Sequence, residues 1–339
     1  MIVPIAFFFD ANYLVPASVA ITSLLTNSDP AHEYHIHVFH NGIAPHDIGT
    51  LAQGCTAFPN ARFFSRDMEN RFAELFARTR NQVHYSKEMY YKLLVPSLLP
   101  QYDRAIVSDV DVVFEGDVSK TFAAALLSPD SLVSASTVPI PHDSHLLRAM
   151  VSRYESVFDA EDVRKMTVAG GGYSVFNLDR MRREDIEAQL VRTARANAYR
   201  SRQPEQDAIA LVCHSRMEIL PINSMICTYC YRLFAEPGAL EKVPGHSAEE
   251  IREALDNPVQ LHFAQPAKPW NTAGCLREEV WFAYFATTPF FDAHVDRIIA
   301  KVGATPRLDP AALQDVIERV SAAGGARPPL DQVASRLRL

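Results

Sequence analysis

Apolar and polar positions in this chain fall into two alternating rhythms. Ile2–Phe9 is an almost unbroken apolar run of strand length, bounded by Asp10. Val15–Leu25 is a longer apolar stretch and predicts a buried helix. His35–His40, with Ile36, Val38 and Phe39, predicts a second strand, and Pro45–Ala57 a helix with proline at its start, where the missing N–H costs nothing. Glu88–Leu99 reads as partly helical with an interruption at Pro96, and Ala105–Val107 and Leu132–Ala135 read as strands. This alternation predicts an α/β fold with a mostly parallel sheet and helices on both faces. Ligands in such sheets sit beyond the carboxyl ends of the strands, so Asp10 and Asp109 are expected to face one crevice.

The second half is less regular. Gly170-Gly171-Gly172 precedes a predicted strand, Tyr173–Leu178, and Asp179–Asn197 reads as one charged helix. Glu205–Cys213 reads as a short helix that starts at Pro204. Phe63–Tyr85 is polar without clear periodicity and is read as a lid over a ligand. After Lys301 a single amphipathic helix is expected near Pro310–Ala322, followed by a short basic end with Arg336 and Arg338. The expected division is a main domain over 1–285 and a helical extension over 286–339.

The most informative stretch is Ala105-Ile-Val-Ser-Asp109-Val-Asp111-Val-Val-Phe114. Two carboxylates at the mouth of a buried strand repel each other and lose hydration. A divalent cation relieves both problems, and hard oxygen ligands suit Mg²⁺ or Mn²⁺. Asp109 and Asp111 are therefore read as metal ligands, against the plain alternative of a solvated turn. Gln260-Leu-His262-Phe-Ala-Gln-Pro-Ala-Lys268-Pro-Trp270 offers an imidazole for the same ion and a point charge for phosphate. A core histidine beside a surface lysine is the ordinary alternative. Asp10-Ala-Asn12-Tyr13 has groups that pair with or stack on a nucleoside, and it would equally cap the following helix. Glu205-Gln206-Asp207 fits an active site, or simply an acidic first turn.

Composition narrows the class. The 339 residues are 48% apolar and 22% charged, with a net charge of −7, which disfavours broad nucleic-acid binding. Five cysteines are too few and odd in number for a secreted disulfide framework. Cys227-Thr-Tyr-Cys230 lacks a second ligand pair for structural zinc and reads as free thiols. The apolar N-terminus has no basic flank or cleavage site, and no run reaches the roughly 20 residues that span a bilayer. A cytoplasmic protein is expected.

Taken in order, five of these pieces resemble the glycosyltransferase family 8 pattern. They are Asp-x-Asn-Tyr, the apolar-framed Asp-x-Asp, the glycine-rich strand ending in Phe-Asn-Leu, the Gln-Asp pair, and His…Pro-x-Lys-Pro-Trp. The resemblance covers roughly Ile2 to Trp270. It implies a Rossmann-like nucleotide-sugar transferase fold of GT-A type. It also implies a retaining, Mn²⁺-dependent hexosyltransferase (Mg²⁺ being the other candidate ion) that moves galactose or glucose from a UDP-sugar, as in bacterial lipopolysaccharide synthesis. Asp109, Asp111 and His262 would hold the metal. Phe8, Asp10, Asn12, Tyr13 and Val110 would line the uridine and diphosphate site, with Lys268 on the diphosphate. Gln206 would lie near the anomeric carbon, and Asp207 would support the sugar pocket.

Four positions depart from the family's best-known galactosyltransferase pattern. Lys92 stands for an arginine, Gly170 for an asparagine, Glu205 for an aspartate and Gln265 for a glycine. Most of these lie on the sugar pocket, so UDP and metal are better specified than the sugar. Since Gln206 is a neutral amide and a poor nucleophile, front-face attack is expected rather than double displacement. Two other readings compete: a nucleotide-sugar-binding module without catalysis, and a haloacid-dehalogenase-like phosphotransferase using Asp109. The acceptor is expected to be a glycan or a lipid-linked sugar, with weak peripheral membrane contact through the C-terminal tail.

Overall fold

A computed structural model describes residues 1–80, 86–166, 172–303 and 308–337. Its main sheet has seven strands. In chain order the strands are β1 (Ile2–Asp10), β2 (Glu33–Asn41), β3 (Ala61–Asp67), β4 (Arg104–Ser108), β5 (Val112–Phe114), β6 (Val133–Ala135), β7 (Tyr173–Asn177), β8 (Met217–Ile219), β9 (Ile226–Cys227) and β10 (Gln260–His262). The large sheet runs β3-β2-β1-β4-β7-β6-β8, and a small one runs β5-β10-β9. Within the large sheet only β7 is antiparallel to its neighbours. The mostly parallel α/β frame read from the sequence is the observed one.

Burial explains the frame. β1 is covered on both faces, which is why it reads as a continuous apolar run instead of an alternating one. The helix Leu14–Thr26 is buried along nearly its whole length and closes one face. The helix Pro45–Thr56 begins at its proline, as expected. Lys87–Leu94 forms a 3₁₀ helix, and Pro96 lies in the first turn of the next short helix, Val95–Leu98. Proline there opens a helix and does not interrupt one.

Three expectations are revised. The stretch Phe63–Tyr85 is not without regular structure. Its start belongs to edge strand β3, Ala73–Ala77 is helical, and residues 81–85 lie outside the described residues. Asp179–Asn197 is two helices, Leu178–Arg183 and Ile186–Asn197, broken where Asp185 turns left-handed at φ 52°. The basic end is helical at Leu330–Leu337. That helix and Pro310–Ala322 bury Leu313, Val316, Ile317, Val320, Val333 and Leu337 in the same core as β1. The apolar stripe of the tail is thus used against the body of the protein. No helix among the described residues is long and apolar enough to cross a membrane.

Candidate active site

The site forms where the two sheets meet. β1 and β4 are parallel neighbours, with Phe7 opposite Ser108, so Asp10 and Asp109 emerge from the same end of the sheet. The chain then turns through Asp109-Val110-Asp111 into β5 of the small sheet. Several bonds fix this turn. Asp109 N–H donates to Gly172 O (3.1 Å), Phe263 N–H donates to Asp111 O (2.9 Å), and Gln260 Nε2 donates to Ser108 Oγ (2.9 Å). β10 pairs antiparallel with β5, with His262 opposite Val112. A residue 151 positions later in the chain thereby reaches the aspartates.

Asp109, Asp111 and His262 form a convergent set, with their ligand atoms all within 4.8 Å of one another. His262 Nε2 lies 3.2 Å from Asp111 Oδ1 and 3.7 Å from Asp109 Oδ2. The other carboxylate oxygens are taken by lysines. Lys92 Nζ donates to Asp109 Oδ1, and Lys268 Nζ donates to Asp111 Oδ2 and to the Phe263 carbonyl. One oxygen of each aspartate therefore stays directed at the imidazole. Two carboxylates and one imidazole make a donor set that fits Mn²⁺ or Mg²⁺.

The charges are strongly linked. Burial opposes ionisation of Asp111, but Lys268 and then His262 outweigh it and hold this carboxyl far below its usual range. Burial also opposes a charge on His262, yet Asp111 lifts its pKa to about 10. Asp111 thus favours the protonated ring, whose Nε2 lies nearer to Asp111 than to Asp109. Lys92, buried between Asp109 and Glu205 (3.1 Å), is driven above its ordinary value by those charges despite burial. Burial, and then the charges of Asp111, Asp10 and Asp109, raise the Tyr13 phenol. Tyr13 thus senses both strand ends, and its ring meets Trp270 edge-on at 5.9 Å.

Residues 4–274 match the pattern of glycosyl transferase family 8. The chain belongs to this family. General stress protein A of Bacillus subtilis (strain 168) is 22% identical over 297 residues, which cover 82% of this chain and 91% of that protein. Among solved structures, the apo WbbM bifunctional glycosyltransferase superposes with a TM-score of 0.67 at 21% identity, over 89% of this chain; the chain spans about half of that protein, 52%. Galactosyltransferase LgtC, solved with donor and acceptor sugar analogues, gives a TM-score of 0.65 at 19% identity, over 84% of this chain and 96% of LgtC. The GT-A-type fold is shared with both. Membership makes the protein a glycosyltransferase and sets aside the phosphotransferase reading of Asp109.

The other anticipated residues of this family-8 enzyme fall into groups. Asp10 accepts from the Asn12 N–H (2.9 Å) and its amide (3.1 Å), so it caps the turn while lying at the crevice. Phe8 and Val110 are buried, and Gln265 is exposed. Lys92, Glu205 and Gln206 border a small cavity of about 20 Å³ together with Val107, Ala135 and Phe176. Among the described residues, Glu205 Oε2 has no hydrogen-bond partner. Gly170 lies outside the described residues.

Asp207 lies at the start of the helix that carries Glu205 and Gln206. Its Oδ1 accepts from Tyr154 Oη (2.7 Å) and its Oδ2 from the backbone N–H groups of Arg202 (2.8 Å) and Gln203 (3.2 Å). The carboxylate secures the start of its own helix, Pro204–Cys213, and burial raises its pKa to about 6. A residue held on both oxygens is poorly placed to contact the sugar directly.

In the sequence Gly172 is only the last of a glycine run. A Cβ at this position would lie 2.4 Å from His262 Nδ1 and 2.7 Å from Met225 Sδ. Only glycine leaves room for the imidazole to reach the aspartates. Cys227, paired in register with His262, and Cys230 are buried free thiols.

Proposed function

We propose that this glycosyltransferase moves a hexose, galactose or glucose, from a UDP-sugar to a glycan or lipid-linked acceptor, with retention and with Mn²⁺ as its cofactor. The observation that carries this reading is the convergence of Asp109, Asp111 and His262 at the strand ends, flanked by Lys92 and Lys268. When bound there, Mn²⁺ offsets the negative charge that builds on the departing diphosphate. Lys268 supplies a further fixed cation to the diphosphate, and preorganised charge of this kind is the most productive electrostatic catalysis. Asp10, Asn12 and Tyr13, alongside Phe8 and Val110, would hold uridine at the end of β1.

Lys92, Glu205 and Gln206 would face the sugar, together with Gly170. Gln206 is neutral, and Asp207 is engaged on both oxygens. Neither is disposed as a free carboxylate nucleophile, which supports front-face attack. Residues 1–285 would carry catalysis. Residues 286–339 would buttress the helix Leu14–Thr26, against which Pro310–Ala322 packs. A cytoplasmic place at the inner membrane face, with lipopolysaccharide among the products, belongs to this proposal.

The test is UDP release from a panel of UDP-sugars, with Mn²⁺ and then with EDTA. Metal-dependent release from one UDP-hexose is expected. No release from any donor, with UDP and Mn²⁺ still bound in calorimetry, would replace this proposal with a non-catalytic binding module.

A further inference from the structure

The helices His145–Glu155 and Ala160–Met166 lie outside the seven-stranded frame. They form a small core of their own, in which Tyr154, Phe158 and Val163 pack with Ala210 of the helix Pro204–Cys213. That helix also carries Glu205 and Gln206 at its start. Polar links between the two units are Tyr154 Oη, which donates to Asp207 Oδ1 at 2.7 Å and approaches Gln203 Oε1 at 3.3 Å, and the Arg202 guanidinium, which donates to Ser156 Oγ at 3.3 Å. Both Tyr154 and Asp207 are about 2% exposed.

We propose that Tyr154 is a positioning residue. Through Asp207 it sets the seat of Gln206 and Glu205, so that sugar transfer depends on how the outlying helices dock. This inference rests on the transferase reading above. The physical argument is the count of bonds on one carboxylate. Asp207 has three donors, two from its own helix start and one from Tyr154. The two backbone donors fix the carboxylate to the helix. The third fixes that helix to a separate unit, and a small error in the angle of the first turn moves Gln206 directly. Charge-assisted bonds of this kind are short and directional.

The link is also sensitive to protonation. Ionised Asp207 accepts all three bonds, whereas the protonated carboxyl cannot. The groups around it are Tyr154 from the outlying helix, Glu205 from its own helix, Arg202 from the preceding turn and Tyr90 from the Lys87–Leu94 helix. Tyr154 stabilises the ionised form, while Glu205 opposes it.

The experiment measures kcat and KM for metal-dependent UDP release against pH, in wild type, Tyr154→Phe and Asp207→Asn, at saturating Mn²⁺. For Tyr154→Phe, kcat is expected to fall about five- to tenfold with donor KM within roughly twofold. Its acid limb is expected to move up by about half a pH unit or more, because the ionised carboxylate loses a donor. Asp207→Asn is expected to lack that limb, and thermal melting shows whether each variant is folded. A fall in kcat with an unshifted acid limb, or a loss that simply tracks a lowered Tm, would overturn the proposal in favour of a structural role. Wild-type turnover in Tyr154→Phe would overturn it as well. Absence of UDP release in the wild type itself is a failure of the transferase reading, which the wild-type arm separates from the others.

Discussion

The large sheet and the small sheet are built on opposite principles. In the large sheet β3, β2, β1 and β4 pair in parallel along a repeated strand-helix rhythm, and β1 alone pairs with β2 over nine positions. In the small sheet β5, β10 and β9 are two or three residues long and come from three distant parts of the chain. The first region derives stability from extended burial. The second has too few residues to do so and depends on specific contacts at the turn after β4. The chemistry lies where the two meet: the frame delivers Asp10 and Asp109, and the small sheet delivers Asp111 and His262. Substitutions that touch only the junction should therefore change function far more than stability.

The largest such effect is expected at the aspartates. Asp109→Asn or Asp111→Asn removes an anionic cation ligand and the charge that pairs with a buried lysine together. Removing one electrostatic contributor of this kind costs about 3–4 kcal/mol of barrier, so transfer should fall at least about 100-fold. UDP-release kinetics measure this, and near-wild-type turnover in either variant would refute the metal assignment. Gly172→Ala comes next. Its Cβ has no room beside His262 and Met225, so the ring must swing away. Metal affinity should weaken about 10- to 100-fold, the scale seen when a ligand's supporting contacts are lost. Calorimetric Mn²⁺ titration checks it, and unchanged affinity would show that the ring is free to sit elsewhere.

The same contrast explains what the sequence discloses. β1, β2, β4 and the helices at 14–26, 45–56, 204–213 and 310–322 carry long periodic or apolar signals, and the structure has them close to the expected limits. Most of β3 reads as part of a lid because an edge strand keeps polar, exposed residues such as Ser65 and Arg66. The strands of the small sheet are too short to show any periodicity. The site residues announce themselves by charge type, so Asp109, Asp111, His262 and Lys268 are legible before any fold is known. Gly172 is not, since its role is an absent side chain opposite a residue 90 positions away. Nor is the clamp on Asp207, whose partner Tyr154 lies 53 positions away, although Leu147, Met150, Val151 and Tyr154 are spaced for one helical face. The helix Leu330–Leu337 left a readable trace, with Leu330, Val333 and Leu337 spaced for one helical face, that a basic composition masked.

Protonation sharpens the picture of the junction. His262 has its pKa raised from 6.5 to about 10 in the cation-free protein by Asp111 despite burial, so its proton, facing Asp111, stabilises the fold fully below pH 6.5. That contribution fades as pH rises through 10. A cation needs the neutral ring, so metal binding must displace this proton. Between pH 7 and 9 the apparent Mn²⁺ affinity should rise with pH by up to about tenfold per unit. Calorimetry in buffers of different ionisation enthalpy should count about one proton released. Zero protons across that window would show that the ring is already neutral and that Asp111 does not hold it charged.

The smallest effect is expected at Gln265, the departure on the rim of the small-sheet side. A glycine is usual there in the family pattern, and a side chain in its place invites the inference of a crowded phosphate site. The fold argues otherwise. Gln265 is exposed, as are Ala264, Pro266 and Ala267 around it, whereas Lys268, three positions on, is buried with its ammonium on Asp111. The backbone N–H remains whatever the side chain, and an exposed side chain has room in solvent. Gln265→Gly should therefore change UDP release by no more than about twofold, with a stability cost of about 0.5 kcal/mol or less for a surface position. A gain or loss of tenfold would mean that this rim meets the donor during turnover. In that case the junction between the sheets would extend further along the loop than the aspartates, His262 and Lys268 define.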